Sequence, residues 1–137
     1  MSHSPCIINL PAYIIQSGAH TTYDKMVLIQ IADNDQEFIT PKWDFDFIYR
    51  YRFMDSEDST GISESQAVQI ANILDVCLKE GYNVLVHCNA GLCRSGAVVE
   101  YGVAIGFEDT RKIRMPNLRV KRMLFDRRST WGSRCDL

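Results

Sequence analysis

The stretch Val84-Leu85-Val86-His87-Cys88-Asn89-Ala90-Gly91-Leu92-Cys93-Arg94-Ser95-Gly96 brings a thiol, a guanidinium and a hydroxyl close together in sequence. An apolar run ends at Cys88, five residues turn, and Arg94 and Ser95 open a segment with helical character. That layout is an anion cradle. The first amides of a helix have no partner within it and carry the positive end of its dipole, so a bound oxyanion accepts several hydrogen bonds there. Gly91 permits the dihedrals that turn successive N–H groups inward. The same field, beside a guanidinium, favours the thiolate of Cys88, which is the nucleophilic form. Arg94 offers a planar fork that matches two oxygens of a phosphate and can follow them as charge redistributes during transfer. Ser95 can donate a hydrogen bond to the sulfur, making it a better leaving group when a covalent phosphoryl intermediate breaks down.

A cradle of this kind needs a strand to deliver the cysteine and a helix to follow it. Short apolar runs at Cys6–Leu10, Met26–Ile31 and in YNVLV, ending at Val86, read as buried strands. Phe45, Phe47, Tyr49, Tyr51 and Phe53 recur at period two, with Asp46, Ile48, Arg50 and Arg52 between them, which predicts a strand packed on one face. Ser63 and Gln66 form a capping-box pattern, Val68, Ile70, Ala71, Ile73, Leu74, Cys77 and Leu78 follow at helical spacing, and Gly81 ends the run. A helix over about Glu64 to Glu80 is expected. Ser95 to Ile105 reads as a second helix. Pro116-Asn117 opens a third, with Leu118, Val120, Met123 and Leu124 inward and the basic residues outward. Residues 108 to 115 have room for one more short turn. From about 129 the tail STWGSRCDL carries no pattern and is expected to fray. Strands alternating with helices imply an α/β layered fold with a largely parallel sheet. The length of 137 residues fits one domain, residues 1–137.

Residues 87 to 95 match HCxxGxxR followed by Ser or Thr at every fixed position, the signature of the cysteine-dependent protein tyrosine phosphatases. In its wider layout, from about Met26 to Leu124, the chain resembles the small dual-specificity-type phosphatases, including short bacterial and phage-encoded ones. The Pro116-Asn117 helix start is similar to theirs as well. The resemblance implies a central, mostly parallel four- to five-stranded sheet flanked by helices, with the phosphate-binding loop between a strand and a helix. It also implies a phosphocysteine intermediate, no metal and no other cofactor. Carried over residue by residue, Cys88 is the nucleophile and Arg94 the phosphate clamp. His87 orients the loop and favours the thiolate. The amides of Asn89, Ala90, Gly91, Leu92, Cys93 and Arg94 hold the oxygens, and Ser95 assists hydrolysis of the intermediate. Such an enzyme also needs a residue that protonates the leaving oxygen and then activates water. Asp55, Glu57 and Asp58 follow the aromatic strand. Phe53-Met54-Asp55 fits the family's register best, with Asp58 in reserve. The chain lacks the Trp-Pro-Asp triplet of the larger tyrosine phosphatases.

The function this implies is removal of phosphate from tyrosine in phosphorylated proteins or peptides, with serine and threonine left open as further substrates. The rival readings on the same scaffold are an RNA 5′-end or phosphoinositide phosphatase, or a phosphate-binding pseudophosphatase. Uncharged Asn89, Ala90, Leu92 and Cys93 lower the inositide option, since relatives of that kind tend to carry lysines there. Five cysteines, without repeated CxxC spacing, argue against a disulfide scaffold or a structural zinc site. Cys6 and Cys77 read as core and Cys135 as tail. Cys93, directly before Arg94, resembles the second cysteine of low-molecular-weight tyrosine phosphatases and is either a small residue filling space behind the loop or a candidate redox partner for Cys88. No apolar run approaches the roughly 20 residues of a membrane span, and no signal-peptide layout opens the chain. A soluble cytoplasmic monomer is expected, with no membrane or nucleic-acid partner. The net charge of -2 divides into +7 for residues 111–137 and -9 for the rest. The basic segment reads as a solvated helix face.

Overall fold

Apolar side chains alternate along the central strands and sort the chain into two layers on either side of one sheet. The computed structural model describes residues 4–135, with side chains to 126. In chain order the elements are β1 (Cys6–Pro11), α1 (Ala12–Ser17), β2 (Met26–Ala32), β3 (Phe47–Arg52), α2 (Glu64–Glu80), β4 (Asn83–Cys88), α3 (Arg94–Ile105), β5 (Glu108–Asp109) and α4 (Leu118–Cys135). The sheet has five strands in the order β3-β2-β4-β1-β5. Every pairing is parallel. The expected α/β fold with a mostly parallel sheet is the one observed. Among the described residues no helix is long and apolar enough to cross a membrane.

Strand β4 lies at the centre, with Gln30 of β2 and Leu10 of β1 both in register with His87. Period two then divides its side chains. Val84, Val86 and Cys88 join Ile7, Val27, Ile29 and Ile31 in the larger core cluster, which also takes in side chains of α2, α3 and α4. Leu85 joins Leu10, Met26 and Leu28 in a smaller cluster on the other face, with Ile15 of α1. Cys88 and His87 therefore leave the strand in opposite directions.

Helix α2 has the expected bounds because its ends are written locally. The Ser63 side chain accepts from the Gln66 amide, Gln66 answers at the Ser63 amide, and Gly81 closes the helix in the left-handed conformation. Several details differ from expectation. Phe45 packs with Ile48 in the smaller cluster, while Tyr49, Tyr51 and Phe53 belong to the larger one. The chain enters β3 only at Phe47, so strand alternation does not reach back to Phe45. Leu118 is exposed, whereas Val120 and Leu124, four apart, form the buried stripe of α4. Helix α1 follows β1 without a break and has no counterpart in the sequence reading. Cys77 is buried as expected, while Cys6 is only half-buried. The backbone of α4 continues past position 129 to Cys135, whose side chain lies outside the described residues.

Candidate active site

The loop between β4 and α3 is held from outside by its carbonyls. Asn89 O accepts from Ala12 N (3.2 Å), Leu92 O from Met115 N (3.0 Å), and Cys93 O from Ala97 N and Asn117 N (3.0 and 2.9 Å). Gly91 O accepts from Asn9 Nδ2 at 2.7 Å, and the same amide reaches Ile113 O at 3.0 Å. Four carbonyls of the loop, those of Asn89, Gly91, Leu92 and Cys93, are thus tied to the chain around it. Gly91 is required twice over. Its φ is 73°, and a Cβ there would lie 2.3 Å from Leu10 C and Pro11 N.

Within the turn, Cys88 is 2% exposed, and its Sγ lies 3.1 Å from the hydroxyl of the fully buried Ser95. Arg94, only 4% exposed, donates from Nη1 to Phe53 O and to Asp33 Oδ1, both at 2.8 Å. Its buried Nε has no protein partner. A cleft of about 320 Å³ opens over these groups and is lined by Cys88, Asn89, Ala90, Cys93 and Arg94 from the loop, with Met54, Asp55 and Asp33 facing them. Asp55 is steadied by Asn117, whose Nδ2 donates to Asp55 Oδ1 at 2.8 Å and to Ser56 O at 3.2 Å, while its Oδ1 caps Val120 N at 3.0 Å. Burial pushes the Cys93 thiol up, and the neighbouring Asp55 carboxylate adds to the shift.

The structure therefore brings Cys88, Arg94, Ser95, Cys93 and Asp55 together. Asp58 stands apart. It is exposed, does not line the cleft, and spends its carboxylate on its own turn, accepting from Thr60 N (2.9 Å) and Thr60 Oγ1 (2.6 Å). Those bonds, the Thr60 hydroxyl first, draw its carboxyl down to about 2. The basic segment is not a uniform solvated face. Arg114 makes a two-point pair with Asp109 at 2.9 and 3.0 Å and reaches Glu100 at 3.4 Å, and Arg119 Nε holds Ile62 O at 2.9 Å. Arg111, Lys112 and Arg122 are exposed.

His87 lies behind the loop, 3% exposed, with Gln30 Nε2 3.1 Å from its Nε2. Gln30 in turn donates to Ile39 O at 3.0 Å and accepts from Arg50 Nε at 2.9 Å. Burial, with the Arg94 charge adding to it, pushes the His87 ring down to about 4 from 6.5, although the Cys88 backbone opposes the shift. His87 is therefore neutral in the folded protein at pH 7. The unfolded chain takes up this proton below about pH 6.5 and the folded chain only near 4, so stability falls as pH drops through that window, by on the order of 3 kcal/mol from this group. Urea unfolding between pH 7.5 and 4.5 is expected to show the decline, and His87→Gln to flatten it between 6.5 and 4.5. An equal slope in the variant would assign the decline to other groups.

Two contributors lie outside any recognisable motif. Asp33, one residue past β2, pairs with Arg94 from 61 positions away, and Asn117, legible only as a helix start, meets Asp55 from 62 positions away.

No family model matches the chain, and the comparison with curated proteins found no match. Solved structures are similar in fold. The human tyrosine phosphatase-like serine/threonine/tyrosine-interacting protein superposes with a TM-score of 0.66 at 19% identity, over 91% of this chain and 92% of that one. Human DUSP28 gives 0.67 at 14% identity over 96% of each chain. OH1 from the Orf virus, a tyrosine phosphatase, gives 0.51 at 20% identity over 74% of this chain and 57% of its own. The fold of this chain is that of the dual-specificity and tyrosine phosphatases.

Proposed function

We propose that this chain, built on that fold, is a cysteine-dependent phosphatase that hydrolyses phosphotyrosine, and also phosphoserine or phosphothreonine, in proteins or peptides. The observation that carries the reading is the convergence of Cys88, Arg94 and Asp55 on one cleft at the C-terminal end of the central strand. Open α/β sheets place their ligands at that edge. In the first step the Cys88 sulfur attacks phosphorus in line as the ester oxygen leaves, and Asp55 gives that oxygen its proton. Arg94 and the amides of residues 89 to 94 hold the equatorial oxygens. In the second step Asp55, now ionised, takes a proton from water. The water oxygen bonds to phosphorus, the S–P bond breaks, and the Ser95 hydroxyl 3.1 Å from the sulfur stabilises the departing thiolate. Free phosphate and the starting cysteine result. In this reading the protein acts as a monomer in the cytoplasm.

Uncharged Asn89, Ala90, Leu92 and Cys93 speak against substrates with several phosphates, such as phosphoinositides. All of the positions that chemistry needs are filled, so nothing observed favours a binding module without turnover. The test is hydrolysis of p-nitrophenyl phosphate with inhibition by vanadate. No turnover of any aryl phosphate would remove the enzymatic reading.

Leaving-group dependence assigns the acid. Asp55→Asn is expected to slow hydrolysis of phenyl phosphate, whose phenolate is a poor leaving group, by about 10²-fold or more, and that of 2,4-dinitrophenyl phosphate far less, because 2,4-dinitrophenolate departs without a proton. Asp58→Asn should behave as wild type, since its carboxylate serves its own turn. The reverse pattern would move the acid to Asp58.

A further inference from the structure

Arg94 meets an acidic residue where a phosphate-binding arginine would be expected to stay free. Asp33 Oδ1 lies 2.8 Å from Nη1, with the Arg94 side chain 5% and the Asp33 side chain 31% exposed, so the carboxylate reaches inward from the cleft rim. Phe53 O takes the second N–H of the same nitrogen at 2.8 Å. Two acceptors use both protons of Nη1 and fix the plane and tilt of the guanidinium. Its Nε, buried and without a protein partner, belongs to the edge that remains for a ligand.

The turn that carries Asp33 is itself fastened. Gln36 N donates to Asp33 O at 3.1 Å, and Asp33 N donates to Gln36 Oε1 at 3.1 Å. Arg52 Nε holds Gln36 O, also at 3.1 Å. From this closed turn Gln36 Nε2 reaches Asn89 Oδ1 at 2.9 Å. The turn thus grips the phosphate loop at both ends, at Asn89 beside Cys88 and at Arg94.

We propose that the turn 33–36 is a positioning clasp: Asp33 orients the Arg94 guanidinium and Gln36 fixes Asn89, so that the oxyanion-binding edge stands ready before a substrate arrives. Neither side chain is assigned contact with the transferred phosphoryl group. The clasp's effect on turnover rests on the phosphatase reading, while its effect on oxyanion binding does not. The two arms are unequal. Asp33 supplies the counter-charge of a nearly buried cation, whereas the Gln36–Asn89 bond is an exposed contact between neutral amides.

The test uses the full chain with Asp33→Ala, Asp33→Asn and Gln36→Ala. Calorimetry measures binding of inorganic phosphate, steady-state kinetics compare p-nitrophenyl and phenyl phosphate, and thermal unfolding checks the fold. Asp33→Ala is expected to weaken phosphate binding by about 10-fold or more and to lower kcat/KM alike for both esters, because a clamp on phosphoryl oxygens is indifferent to the leaving group. Asp33→Asn keeps an acceptor at the same place and should recover most of the loss, and it is the variant to read if Asp33→Ala does not fold. Gln36→Ala should cost about threefold or less. A folded Asp33→Ala or Asp33→Asn protein that binds phosphate as wild type and only melts earlier would overturn the clasp. So would a loss confined to phenyl phosphate, which would assign Asp33 to proton transfer. If wild type binds phosphate yet hydrolyses neither ester, the phosphatase reading fails, and the binding measurements alone decide the clasp.

Discussion

Cys88→Ser is expected to abolish turnover of aryl phosphates, by on the order of 10⁴-fold or more, while binding of phosphate esters stays measurable. The substitution changes one atom at the end of β4 and leaves the cradle intact, since the loop is fixed by carbonyl contacts to Ala12, Met115, Asn117 and the Asn9 side chain, none of which involves the sulfur. A serine hydroxyl is a far weaker acid than a thiol and a poor leaving group from phosphorus, so both steps suffer. Binding survives because amides and guanidinium, rather than the nucleophile, hold the oxygens. Full activity in this variant would refute covalent catalysis by Cys88.

Arg94→Lys is expected to lower kcat/KM by about 10³-fold, most of it in kcat. The guanidinium uses one nitrogen to meet Phe53 O and Asp33 and keeps its Nε edge free, so it can be anchored and bind ligand at once. A lysine ammonium is a single point. If it pairs with Asp33 it is drawn away from the cradle, and if it reaches the phosphoryl group it leaves Asp33 and Phe53 O without their donor. The ammonium is also more strongly hydrated, so burial at a site that exposes only 4% of the residue should lower stability by roughly 1–3 kcal/mol. Kinetics together with thermal unfolding check both expectations. A lysine variant within threefold of wild type would mean that the planar fork plays no part.

The loop from Cys88 to Ser95 is legible in the sequence because its determinants are local. A strand, a glycine that needs φ 73° and a helix start lie within one stretch, and their order alone implies a cradle. Helix α2 is legible for the same reason, with Ser63, Gln66 and Gly81 marking its ends. Helix α1 is not, because six residues are too few for periodicity to show, and it depends on packing Ile15 against the sheet. The contacts that tune the site were hidden by distance along the chain. Asp33 follows an ordinary buried strand, and only the parallel register of β2 with β4 brings it to the same sheet edge as Arg94. Asp55 and Asp58 are equivalent as residue types in one acidic loop. They separate only in space, where Asn117 ties Asp55 to the start of α4 and Thr60 turns Asp58 back on its own loop. Phe45 shows the limit of reading a strand from alternation, since the pattern does not say where pairing begins.

The central claim is that phosphate passes through the sulfur of Cys88. Rapid acid quench of the enzyme during turnover of an aryl phosphate, followed by peptide mass spectrometry, tests it directly, with Ser95→Ala used to slow breakdown of the intermediate. Phosphate attached to Cys88 is the predicted result. Steady hydrolysis with Cys88 unmodified and phosphate on another residue, or undiminished hydrolysis by Cys88→Ser, would contradict it.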